Sequence, residues 1–131
     1  MKAGLKAPVR ARIRNEIWVK LWGNVAFNPI SVLTRATMRA ICRDPLTRAF
    51  AREVMVEVQA VAAALGEEMP VDVDARINGA EKVGEHKTSM LQDFEQGREM
   101  ETDAIVGAVV EMARLVQVAT PRLEAVHGMV R

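Results

Sequence analysis

The chain has one cysteine, Cys42, and no tyrosine. A lone cysteine excludes a disulfide framework within the chain and a cysteine-rich metal site, and it suits a reducing cytoplasm. Placed among Met38, Ile41 and Arg43, Cys42 reads as a small half-buried hydrophobe rather than a reactive thiol. His86 and His127 are the two histidines, far apart and without a ligand-spaced partner, so no metal is expected. An excess of one charge is also missing. Lys and Arg total 18 against 17 for Asp and Glu, and net +1 gives no electrostatic case for nucleic acid or an anionic membrane. An early basic cluster, Lys2, Lys6, Arg10, Arg12 and Arg14, lacks interleaved aromatics. No apolar run approaches the ~18 residues of a membrane helix. The basic N-terminus is not followed by the apolar core of a secretory signal. There is no G-x-G-x-x-G after a strand, no Walker loop and no H-E-x-x-H, so nothing cradles a dinucleotide phosphate.

What is present is helical pattern. At 131 residues, with 50% hydrophobic and 27% charged, the chain fits one soluble globular domain. Residues 14–28 have helical periodicity, with Ile17, Leu21 and Val25 as the apolar line and Trp18 and Trp22 beside it. Asn28-Pro29 then predicts a second helix, with Asn28 as N-cap and proline in the first turn. Asp44-Pro45 is the same signal for the longest helix, running to Leu65 and stopped by Gly66. Its expected buried face is Leu46, Phe50, Val54, Val58, Val61 and Leu65. Residues 67–71 are a loop, and Asp72 caps a short helix to about Glu81, broken by Gly84. Ser89–Gln96 is another short helix, ended by Gly97. Glu101 or Thr102 opens a helix to about Val116, with Ile105, Val109, Met112 and Val116 on one face. Thr120-Pro121 starts the last, with Thr120 as N-cap and Leu123, Val126 and Val130 apolar. The expectation is an all-α, compact multi-helix domain of about six to eight helices packed around residues 45–65.

One stretch raises a functional question. In "KLWGNVAFN", Lys20, Asn24 and Asn28 stand four apart, which lines them up along a helix. Taken alone, each has an ordinary explanation. Lys20 reads as a solvated or snorkelling lysine, Asn28 as a cap, and only Asn24 is awkward inside an apolar helix. Further on, Ser89 reads as an N-cap and Glu101 as an acidic residue favoured at a helix N-terminus.

Two stretches together resemble a known family. "EIWVKLWGNVAFNPISVLT" (16–34) and "HKTSMLQDFEQGREMETDAIVGAVVEMARL" (86–115), followed by "ATP" at 119–121, are similar in order and spacing to the C-terminal helical domain of the ketopantoate reductases (2-dehydropantoate 2-reductases). The resemblance spans nearly the whole chain, and SMLQD, then GR, then Glu101 is its most specific part. It implies a fold like the C-terminal domain of 6-phosphogluconate dehydrogenase, without the Rossmann domain that binds NADPH in the family. The opening residues look like the linker that follows that domain, so residues 1–131 are expected to be the substrate and catalytic half alone. By the same resemblance Lys20 is the acid that protonates the substrate carbonyl oxygen. Asn24 and Asn28 contact substrate, Ser89 partners its carboxylate, and Glu101 holds the hydroxyl and helps orient Lys20. Three positions depart from the family pattern: Glu99 where proline is frequent, Thr102 for isoleucine, and His127 for an aromatic.

These types suit the chemistry. Reducing a 2-keto acid puts negative charge on the former carbonyl oxygen, which an ammonium stabilises and then protonates, best when partly buried. Asparagine offers donors and an acceptor without charge. Ser89 and Glu101 reach one pocket only if the chain turns at Gly97. The expected partners are therefore a small 2-keto acid, a Rossmann domain in trans and a homodimer mate, with the isolated chain inactive for want of NADPH. The rival reading is a helical self-association module of the same descent without catalysis.

Overall fold

The computed structural model describes Gly4 and residues 8–131. Lys2 and Lys6 of the basic cluster lie outside the described residues. Of the others, Arg10 pairs with Glu16 at 3.3 Å.

The described residues form helices and turns, with no strand among them. In chain order the α-helices are α1 (Ile13–Thr34), α2 (Met38–Arg43), α3 (Pro45–Ala64), α4 (Val73–Glu81), α5 (Ser89–Glu95), α6 (Ala108–Leu115) and α7 (Pro121–Val130). A π-helical turn, Asp103–Gly107, leads into α6. Several starts follow the capping chemistry of the sequence. Asp44 accepts from the Leu46 and Thr47 amides at 3.1 and 2.8 Å, with Pro45 at the first position. Asp72 accepts from Asp74 and Ala75 at 2.8 and 3.2 Å. Thr88, one residue before Ser89, caps α5 by accepting from Leu91 at 3.2 Å. Gly66, Gly84 and Gly97 take the positive φ that ends three helical segments.

Four expectations are corrected. The chain does not break at Asn28-Pro29, because α1 runs through Pro29 to Thr34. An interior proline leaves the Val25 carbonyl without its N–H partner and costs ~3 kcal/mol. The helix survives because residues 25–32 are all buried, so packing outweighs local propensity. Ile17 is exposed, and the inward face of α1 is instead Trp18, Trp22, Val25 and Ala26. In α3, Leu46 and Leu65 are likewise exposed, while Ala51, Val54, Met55, Val58, Val61 and Ala62 are buried. Thr120 precedes α7 but makes no side-chain cap bond.

Two elements were not anticipated: the short helix α2, capped by Thr37, and the π turn. The centre is shared rather than held by α3 alone. α1 packs on α2, α3, α5, α7 and the π turn, while α3 packs on α1, α2, α4, α6 and α7. The indole of Trp22, fully buried, donates to the Met55 carbonyl at 2.6 Å and ties the two long helices together.

Candidate functional site

Lys20, Asn24 and Asn28 project from one face of α1 into a cleft of about 380 Å³, and Ser89 and Glu101 line the same cleft. Five residues spread over more than eighty positions thus meet in one place. That volume is near the lower end of small-molecule sites, roughly 300–1,000 Å³. A hollow of about 620 Å³ lies along Glu99–Ala104, Val130 and Arg131 and shares Glu101. It is larger but gathers none of the other four, so the smaller cleft is the candidate site.

Local structure explains the meeting. Ser31, one turn beyond Asn28, donates its hydroxyl to the Asn28 carbonyl at 2.7 Å. Ser31 and Thr88 lie 2.5 Å apart. Since the Ser31 proton goes to Asn28, Thr88 donates to Ser31, and Thr88 in turn accepts from the Leu91 amide. This buried relay fixes the start of α5 against α1, which sets Ser89 beside the asparagines. The loop before it is held by the Met38 and Arg39 amides, which donate to the His86 and Gly84 carbonyls at 3.0 and 3.1 Å. Gly97, at φ +65°, turns the chain as required to bring Glu101 back.

The five side chains differ in exposure. Asn28 is 4% exposed and its amide nitrogen has no hydrogen-bond partner among the described residues. A buried donor without a partner costs ~1–3 kcal/mol, so it marks a position held ready for an acceptor. Asn24 is half-buried, while Lys20, Ser89 and Glu101 are exposed. The partial burial expected for Lys20 is therefore not supplied by the described residues. Lys20 and Glu101 form no ion pair with each other or with any described residue, so both remain available to a ligand.

Three features escaped the sequence reading. Arg76, on α4, lines the cleft with its guanidinium against Gly23 of α1. Ser31 and Thr88 form the relay beneath it. The third is the π turn after Glu101, which adds about one residue to a helical turn and re-aims the chain there. His127 accounts for its own departure from the family pattern. Its ring lies against Gly107, where an added Cβ would stand 3.1 Å from Nε2, and it meets Asp103 at 2.8 Å. That bond, with the Arg131 charge behind it, holds the Asp103 carboxyl below its usual range. The contact ties α7 to the π turn.

Cys42 is buried, and its thiol donates to the Ile77 carbonyl at 3.7 Å. Burial pushes its pKa up, outweighing the lowering by Arg48. It behaves as a core residue.

Residues 12–131 match the family described as ketopantoate reductase PanE/ApbA C terminal. The chain belongs to this family. The 2-dehydropantoate 2-reductase of Mesorhizobium japonicum is 60% identical over 131 residues, all of this chain and 40% of that protein. The crystal structure of 2-dehydropantoate 2-reductase from Methylococcus capsulatus superposes with a TM-score of 0.88 at 38% identity, covering 98% of this chain and 41% of the other. A D-mandelate dehydrogenase solved with NADH and anilino(oxo)acetate superposes at 0.85 with 26% identity, over 98% of this chain and 55% of its own. The chain thus spans about two fifths of the length of the reductases it matches.

Proposed function

We propose that this chain is the substrate-binding and proton-donating half of an NADPH-dependent 2-dehydropantoate 2-reductase, reducing ketopantoate to pantoate. The observation that carries the reading is the convergence of Lys20, Asn24, Asn28, Ser89 and Glu101 on one cleft with an unpartnered buried amide in its wall. In this reading the Lys20 ammonium faces the carbonyl oxygen and gives it a proton as negative charge develops there. Asn28 donates to an acceptor on the substrate. Asn24 supports the same end, Ser89 hydrogen-bonds the carboxylate, and Glu101 accepts from the hydroxyl.

The described residues do not fit NADPH. They form helices and turns and offer no strand followed by a glycine-rich turn to hold a pyrophosphate. The cofactor belongs to a nucleotide-binding domain, of the kind expected in the remaining length of the relatives. The cytoplasm, with its pool of reduced nicotinamide, is the compartment this reading assigns. Self-association is part of it as well, since Leu46, Leu115 and Met129 are exposed apolar side chains. Light scattering over a range of concentrations checks this, and a monomer throughout removes it.

The test is NADPH oxidation with ketopantoate, by this chain alone and joined to a ketopantoate reductase nucleotide domain. The expected result is silence alone and turnover when joined. In the joined protein Lys20→Ala and Glu101→Ala should each lower kcat by about 100-fold or more. Wild-type rates in both variants, or a folded, NADPH-bound joined protein without activity, would refute the reading.

A further inference from the structure

Arg76 is a cleft residue to which neither the sequence pattern nor the proposed reaction gives a role. Its guanidinium makes no hydrogen bond or ion pair with any described residue, although the side chain is half-buried. It reaches the cleft through a gap that the sequence provides. Gly23 is buried inside α1, where a glycine weakens a helix relative to alanine. A Cβ at that position would stand 2.6 Å from Arg76 Nη2 and 3.3 Å from Cζ. Glycine thus leaves the room in which the guanidinium from α4 rests against α1, on the same stripe as Lys20 and Phe27 and next to Asn24, and a side chain there would push it aside.

Charge points the same way. Among the described residues that line the cleft, Lys20 and Arg76 are the cations and Glu101 the only carboxylate, which leaves a surplus positive charge. The orphaned Asn28 amide adds a second donor, buried and independent of Arg76. Two cations and an unpartnered buried N–H donor, set against one carboxylate, suit a monoanion.

We propose that Arg76, admitted by Gly23, is the charge-bearing anchor for the carboxylate of a small 2-oxo acid and sets the preference for acid over neutral carbonyl compounds. This rests on the reductase reading only for the position of the carbonyl. A planar guanidinium engages a carboxylate through two parallel N–H bonds, which an ammonium cannot imitate. Ser89 then supplies a supporting hydroxyl, and Lys20 is left free to act at the carbonyl oxygen.

The test has two arms. In the first, the 131-residue chain, labelled with ¹⁵N, is titrated with 3-methyl-2-oxobutanoate and with its primary amide. The Arg76 Nε–H and Asn28 side-chain amide signals should move saturably with the acid, and the amide should bind at least about 10-fold more weakly. Arg76→Met should erase that difference and Arg76→Lys should restore it in part. Gly23→Ala should weaken acid binding while leaving the melting temperature the same or higher, which a purely structural Arg76 does not predict. The second arm measures the joined protein. There Arg76→Met should raise KM for the acid by about 10- to 100-fold, with a smaller change in kcat. Equal binding of acid and amide, no saturable binding, or an unchanged KM in Arg76→Met overturns the proposal. Acid binding through Arg76 without turnover in the joined protein would leave the anion site standing and sink the reductase reading. Turnover with an unchanged KM in Arg76→Met would do the reverse.

Discussion

Replacing Asn28 by leucine should make the protein more stable and less able to bind its ligand. Asn28 is 4% exposed, and its amide nitrogen is buried without a partner. Leaving a donor in that state costs ~1–3 kcal/mol. Leucine has the same branched skeleton without a polar atom, its greater volume has the adjoining cleft to extend into, and it is the better helix former by roughly 0.5 kcal/mol. Its apolar body would face Phe27 and Ile105, which line the same cleft. The expected gain is about 1–3 kcal/mol, or roughly 4–12 °C in Tm for a domain of this size. Urea denaturation followed by far-UV circular dichroism measures it, with Asn28→Asp as a control that buries a charge and should lose stability. In the joined protein the same leucine variant should raise KM for ketopantoate at least about tenfold, the value of one hydrogen bond to a charged group. Stability falling by more than about 1 kcal/mol would refute the reasoning, for it would mean that the amide is already satisfied and serves the fold.

Trp22→Phe removes the bond to the Met55 carbonyl and part of a fully buried ring, and should cost about 2–3 kcal/mol in urea unfolding; a loss below about 1 kcal/mol would show that α1 and α3 are not locked there. Asp44 and Asp103 have folded pKa values below their usual ones, Asp44 through the Thr47 amide above all and Asp103 through His127. Their stabilisation is thus complete above the ordinary carboxylate value, ~3.9, and is lost as pH falls through the lower folded values. Asp44→Ala and Asp103→Asn should flatten the acid limb of a stability-against-pH curve, and an unchanged limb in both would contradict this. Cys42 should be unreactive toward a disulfide reagent until the chain unfolds, and titration at the native rate of an exposed thiol would place it wrongly.

The departures at Glu99, Thr102 and His127 flank or face the segment that carries Glu101. Two of them have structural accounts. Thr102 is buried at the entry to the π turn. His127 hydrogen-bonds Asp103 of that turn and fits there because residue 107 is glycine. Glu99 is exposed, and nothing in the structure explains it.

Local chemistry determined much of this protein. Asp44-Pro45, Asp72 and the glycines at 66, 84 and 97 each act through their own side chain or φ angle, so their effect needs only neighbouring residues. The stripe Lys20, Asn24 and Asn28 was legible for the same reason, since helical spacing alone puts it on one face. Ser89 and Glu101 were legible only through family resemblance, because spacing says nothing about which remote segments meet. Tertiary structure decided the rest. Pro29 reads as a helix start until burial on every side carries α1 past it. Ile17 and Leu46 fit an apolar face by period, but no neighbouring helix covers them. Arg76 carries no signal in its own stretch. It becomes a cleft residue only because its side chain reaches from α4 to Gly23 of α1, a contact between positions 53 residues apart that no local pattern records.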